Sequence, residues 1–310
     1  MQKIAIIGAG NVGGQIALFL VKEGPVNILL LDVVKGLAKG KAFDLEDCAS
    51  VLKHDLSIEG SDDFSLLRSA GIIVIAAGLA RKPGMSRDDL LRKNAGIIKD
   101  ISLKIKEFGS SNPIILVVTN PVDLMTHLVS RITGFGKKRV FGMGISLDAA
   151  RFTNLISAEL NVPVSSIEAV VIGSHGQAMV PAPGMTRVSG ARLERLLNAA
   201  AMSKLAQATV ERGADIVSHL GSGSAYFGPA AAASSIIKSI VKDEKRVTGV
   251  CAYLNGEYGI KGLYIGVPAR IGKDGVENII ELELNPKEKE AFLKSAESIR
   301  QQIDQLTKNV

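Results

Sequence analysis

The stretch "KIAIIGAGNVGGQIALFL" most narrows what this chain can fold into. An apolar run at residues 3–7 opens directly onto Gly8-Ala9-Gly10-Asn11-Val12-Gly13, a GxGxxG pattern. A helical stretch follows, with Ile16, Ala17 and Leu20 among its apolar positions. Gly8 permits a tight turn, Gly10 lets a pyrophosphate approach the backbone, and Gly13 lets helix and strand pack closely. The amino end of the helix then faces the negative phosphates. Glycine is common, so the pattern alone is weak; its place between strand and helix gives it weight. A second apolar run, 27–31, ends in Asp32 ("NILLLD"). A carboxylate there accepts hydrogen bonds from both ribose hydroxyls of an adenosine and repels a 2′-phosphate. The sequence therefore favours NAD over NADP, with a strand-capping Asp as the plainer alternative.

The same rhythm continues through the first half. Further β-rich runs at 72–76, 114–118 and 139–141 are separated by helical patterns. One of these carries Leu90, Leu91, Asn94, Ile97, Ile98, Ile101 and Ile105 at spacings of three and four. Near-continuous apolar strands alternating with helices predict a doubly wound α/β domain over residues 1–144, its parallel sheet covered on both faces. Residues 145–310 read differently. A helix at 147–160 leads to a strand at 167–172 and then to Gly- and Pro-rich turns. Ala-rich helices at 191–217 and 224–242 follow, then strands at 247–254, 263–270 and 276–284, and a closing helix at 287–306. Strands joined only by turns pair antiparallel, which predicts a separate α+β domain.

Composition excludes several function classes. With 310 residues the chain is long enough for two cores, and 46% hydrophobic content argues against disorder. The formal charge is 37 − 31 = +6, but the aromatic fraction is 4% with no Trp, and the basic residues are dispersed. That argues against nucleic acid and suits an anionic small molecule. No apolar run reaches the ~18 residues that span a bilayer, so no membrane association is expected. The opening residues carry no cleavage-site pattern. Cys48 and Cys251 lack metal-ligand spacing, so no metal is expected and both read as reduced thiols of a cytoplasmic protein.

Of the four histidines, His54, His127 and His219 have no chemical company in the sequence. His175 lies in "GSHGQAMVP", between Gly173 and Gly176 just after a strand, where a side chain meets a ligand without steric cover. Its near-neutral pKa suits general acid–base work. Asp148 and Arg151 stand at i and i+3 in "SLDAARF" and face the same way on a helix. A carboxylate beside His175 would fix its tautomer, and an arginine fork matches a substrate carboxylate. An ordinary intrahelical ion pair explains the same spacing. The loop "ARKPGMSR" sets two arginines, Arg81 and Arg87, around a Pro-Gly turn after a buried strand.

Taken in order and spacing, "IGAGNVG", Asp32, "ARKPGMSR", "VVTNPVD", "GISLDAARF" and "GSHG" resemble the lactate/malate dehydrogenase family over essentially the whole chain. The resemblance implies a Rossmann domain carrying NAD and a reversible hydride transfer between malate and oxaloacetate. It makes His175 the proton donor and acceptor and Asp148 its partner. Arg151 would clamp the carboxylate next to the reacting carbon, and Arg87 would polarise the carbonyl oxygen. Arg81 stands where an Arg matches a second carboxylate and a Gln suits pyruvate. Asn120 would hold substrate and nicotinamide, with Asn94 and Val118 beside the cofactor and a cis bond at Asn120-Pro121. The loop would act as a lid hinged near Gly78 and Gly84. A homodimer or homotetramer is also implied. The chain departs from the family's "GGHGD" at Ser174 and Gln177, and the stretch after Pro181 is atypical. Rival readings are the same chemistry on pyruvate, an NAD-dependent glycosidase that would need a Cys/His metal cluster, and a non-catalytic NAD sensor. NADH oxidation assayed with several 2-oxo acids separates them.

Overall fold

The computed structural model describes residues 2–79 and 87–309, without the side chains of 87, 88 and 307–309. In the first half, β1 (Lys3–Ile7), β2 (Asn27–Leu31), β3 (Ile58–Ser61), β4 (Ile72–Ile75), β5 (Ile114–Val117) and β6 (Val140–Gly142) pair in parallel. Their spatial order is β3-β2-β1-β4-β5-β6. The residues of β4 and β5 are all buried, with no alternation between faces, so helices must cover both sides. The covering helices of this half are α1 (Asn11–Glu23), α2 (Leu37–Val51), α3 (Arg87–Phe108) and α4 (Val122–Thr133). Each fully buried Ile or Leu contributes about 1.5–3 kcal/mol by leaving water. The order of strands reverses between β1 and β4, and a crevice opens there at their carboxyl ends. β3 falls outside the strands read from sequence. Its four residues, "IEGS", include only one that is fully buried, which leaves no apolar run to read.

The second half contains α5 (Ile145–Leu160), β7 (Ile167–Glu168), β8 (Val171–Gly173), β9 (Met179–Pro181), β10 (Arg187–Val188) and β11 (Ala191–Arg192). It continues with α6 (Ala199–Leu220), α7 (Phe227–Val241), β12 (Arg246–Asn255), β13 (Lys261–Gly272), β14 (Gly275–Ile279) and α8 (Pro286–Asn309). β12 and β13 form a long antiparallel pair. They extend the first half's sheet: β12 meets β6 at Cys251 and Gly142, and β13 meets β8 at Gly266 and Gly173. Among the described residues the sheet has 11 strands, and a second of three runs β11-β10-β7. α7 packs across onto α1, and α5 lies against β8 and β12. The helix that will matter most is thereby set on the sheet beside the crevice.

Three boundaries differ most from the sequence reading, the first being the strand read over 276–284, which ends at Ile279. The run 167–172 splits in two, because Glu168 pairs with Arg187 in the small sheet while Val171–Gly173 joins the large one. The helix read from residue 191 begins at Ala199. Residues 187–192 are used by a tight hairpin through Gly190 (φ +83°), and Asn198 caps the helix by accepting the Ala201 amide at 2.9 Å. No helix among the described residues is long and apolar enough to cross a membrane. Both cysteines are free thiols.

Candidate active site

The glycine loop after β1 is shaped by contacts that exclude side chains. Gly8 has φ +100°, and a Cβ there would lie 2.5 Å from the Ala77 nitrogen. A Cβ at Gly13 would lie 1.8 Å from the Gly8 carbonyl oxygen, so β1 and α1 close on each other only with glycine. Gly10 faces open space and precedes α1 with no side-chain cap, which leaves the first-turn amides of Asn11 and Val12 without a capping partner from their own loop. An anion's oxygens complete such a terminus.

Asp32 follows β2 and is braced at both oxygens: Oδ2 accepts the Ala9 amide at 2.7 Å and Oδ1 the Val34 amide at 2.9 Å. It borders a cavity of about 450 Å³ whose other walls include Val34, Leu37, Ile97 and Ile101. This largely apolar slot, with Asp32 braced at one side and Asp100 and Lys104 also on its wall, suits a flat base joined to a ribose. Together with the open Gly10, these residues fit a dinucleotide. The cavity shares Gly10, Gly78 and Leu79 with a second one of about 370 Å³, lined by Asn11, Val12, Asn94, Val118, Asn120 and His175. His175 and Asn120 also line a third, of about 670 Å³, that reaches Arg151. The three form one continuous cleft from the nucleotide slot to the histidine.

Within it, Asn94 is 2% exposed and its amide is engaged on both sides. Oδ1 accepts the Leu79 amide at 2.8 Å, and Nδ2 donates to the Asn120 carbonyl at 2.9 Å. Asn94 therefore braces the loops after β4 and β5 as well as lining the cleft. The Asn120-Pro121 peptide is cis, as the resemblance implies.

His175 follows β8. Its Nδ1 is 2.7 Å from Asp148 Oδ2. An ionised carboxylate only accepts, so Nδ1 carries the proton and Nε2 is left for the cleft. Asp148 is completely buried on α5, and its Oδ1 accepts from Arg151 Nη1 at 3.2 Å. The i, i+3 ion pair and the histidine partner are thus one arrangement: a single carboxylate is shared by imidazole and guanidinium. Burial disfavours the imidazolium, yet the charge and hydrogen bond of Asp148, with Asp123 behind it, lift the His175 pKa above its ordinary value. The result is a histidine whose protonated form is favoured, beside a positive fork, which suits a carbonyl next to a carboxylate.

Arg81 and the side chain of Arg87 lie outside the described residues; the backbone of Arg87 begins α3. Gly84 of the expected lid also lies outside the described residues; Gly8, Gly10, Asn11, Val12, Asp32, Asn94, Val118, Asn120, Arg151 and His175 line the cleft, while Gly13 packs against Gly8 and Asp148 is buried beside His175. Asp123, which sequence reasoning passed over, and Ser174, noted there only as a departure, line the same cleft beside His175. Asp123 and Ser174 hydrogen-bond each other at 2.8 Å, and Asp123 also takes the His175 amide at 2.9 Å. The available signal was an acidic residue inside the apolar "PVDLM" run.

Comparison with known proteins agrees with this geometry. Residues 2–142 match the family model described as lactate/malate dehydrogenase, NAD binding domain, and residues 145–310 the one described as lactate/malate dehydrogenase, alpha/beta C-terminal domain. The chain is 43% identical to a malate dehydrogenase of Methanosarcina acetivorans, over 99% of each chain. The structure of malate dehydrogenase from Aeropyrum pernix superposes with a TM-score of 0.94 at 38% identity, covering 97% of each chain. A lactate dehydrogenase from Cryptosporidium parvum, complexed with lactic acid and nicotinamide adenine dinucleotide, gives 0.95 at 32% identity over 100% of this chain and 98% of that one. A glycine loop, a braced Asp32 and an Asp148–His175–Arg151 cluster on one cleft, with matches spanning both halves, lead to one conclusion: the chain belongs to the lactate/malate dehydrogenase family.

Proposed function

We propose that this chain is an NAD-dependent malate dehydrogenase in which His175 and Asp148 are the acid–base pair and Arg81, Arg87, Arg151 and Asn120 hold the substrate. The observation that carries the reading is the Asp148 carboxylate shared between His175 and Arg151 at the end of the nucleotide cleft. Kinship to malate dehydrogenases supports the substrate. Its two free cysteines support a cytoplasmic setting.

A nicotinamide dinucleotide held by the glycine loop and Asp32 would supply the hydride acceptor for malate and the hydride donor for oxaloacetate. The protein does the rest. In oxidation, neutral His175 takes the C2 hydroxyl proton at Nε2 as the carbonyl forms. Asp148 stabilises the resulting imidazolium and keeps the ring's tautomer. In reduction the imidazolium returns that proton to the carbonyl oxygen, where Arg87 offsets developing negative charge. Arg151 presents its planar guanidinium to the C1 carboxylate, and Arg81 pairs with the distal one. Pyruvate lacks the distal group, so Arg81 sets the preference for a dicarboxylate. Purified protein should oxidise NADH when given oxaloacetate and reduce NAD when given malate; no turnover in either direction contradicts the reading.

Asp32 should decide the nucleotide. Its carboxylate is held by two backbone amides at the rim of the adenosine slot, where it accepts ribose hydroxyls and repels a 2′-phosphate. NADH should be preferred over NADPH, and Asp32→Ser should weaken NADH use and narrow the gap. Equal kcat/KM for the two cofactors in the unmodified protein would refute this role.

A further inference from the structure

We propose that Asp123 and Ser174 are positioning residues for His175: the Ser174 hydroxyl keeps a buried Asp123 carboxylate ionised, and that charge both holds the His175 backbone and favours the imidazolium. The inference rests on the acid–base reading of His175. Asp123 is 3% exposed at the first turn of α4. Oδ2 takes two donors, Ser174 Oγ at 2.8 Å and the His175 amide at 2.9 Å, while Oδ1 is buried with no hydrogen-bond partner. A carboxyl so enclosed needs a reason to carry charge.

Four surroundings supply one. The amino end of α4 favours an anion. The Ser174 hydroxyl is a fixed donor, since its own amide is tied to Ser295 Oγ of α8 at 2.8 Å. The Cys251 thiol of β12 lies against the same carboxyl, and burial holds that thiol protonated, so it brings no competing charge. Burial raises the Asp123 pKa above the usual carboxylate value, and the hydrogen bonds from Cys251 and Ser174 with the charge and amide of His175 hold that rise in check.

The groups facing His175 are then Asp148 and Arg151 from α5 and Asp123 from α4. The neighbouring Ser295 of α8 and Cys251 of β12 are neutral. The histidine sits between two carboxylates that act in different ways. Asp148 bonds the ring; Asp123 bonds the main chain and acts on the ring by charge alone.

The test is the pH dependence of kcat/KM in both directions. Malate oxidation needs neutral His175 and oxaloacetate reduction needs the imidazolium, so both limbs report its pKa. Ser174→Ala removes a donor from Asp123, makes that carboxyl easier to protonate and weakens its field. Both limbs should move to lower pH by about 0.5–1 unit. Asp123→Asn keeps an oxygen for the His175 amide and removes the charge outright, so it should move them further. Ser174→Thr, which keeps a hydroxyl, should restore the limbs. If Ser174→Ala and Asp123→Asn lower turnover or melting temperature while the limbs stay in place, the residues are structural and the proposal is overturned. Near-normal turnover in His175→Asn would instead overturn the underlying acid–base reading, and the two failures are distinct.

Discussion

Arg81→Gln is expected to cut kcat/KM for oxaloacetate by about 30- to 5,000-fold and to raise activity on pyruvate. Oxaloacetate carries two carboxylates, and in the proposed mechanism Arg151, paired with Asp148 at the end of the cleft, takes the one next to the reacting carbon. The distal carboxylate needs a second cation, and the resemblance assigns Arg81 to it. Once water is excluded, each member of such a pair depends on the other, and removing one costs about 2–5 kcal/mol. Pyruvate has a methyl group there and leaves the arginine unpaired, so Gln relieves a penalty. Arg87→Gln should instead depress both substrates, because the carbonyl it is proposed to polarise is common to them. Steady-state kinetics on the two 2-oxo acids checks this; equal loss on both in Arg81→Gln would remove the specificity role.

His175→Asn should lower turnover by about 10²–10⁴-fold while NADH still binds, as read by titration of NADH fluorescence. The separation follows from the layout. The glycine loop, Asp32 and the apolar slot lie along β1, β2 and β4, whereas the imidazole enters from the loop after β8. Asn keeps a side-chain donor for Asp148 and so avoids leaving a completely buried carboxylate bare. What it lacks is a group that takes and returns a proton near neutral pH. Turnover close to that of the unmodified protein would mean the proton is handled elsewhere.

These contrasts also show where residues alone were informative. The parallel half was legible because "IAII", "IIVI" and "IILV" are buried on both faces, and the turn after the first of them admits only glycine at Gly8 and Gly13. β3 was not, since a short, mostly half-buried edge strand has no period to read. In the second half, the stretch "ARLERLL" before the Asn198 cap has helical composition, but the hairpin through Gly190 and that cap override it. In the site, the spacing of Asp148 and Arg151 was visible, whereas their meeting with His175 depends on α5 lying against β8, a long-range contact. Asp123 escaped notice for the same reason: its partners stand 51 and 52 residues away in sequence.

The central claim is tested most directly by kcat/KM of the unmodified protein with NADH, measured side by side on oxaloacetate, pyruvate, 2-oxoglutarate and a branched-chain 2-oxo acid. Oxaloacetate should exceed pyruvate by the same order as the Arg81 pairing, about 30-fold or more. A preference for pyruvate, or turnover that does not distinguish the two, would contradict it.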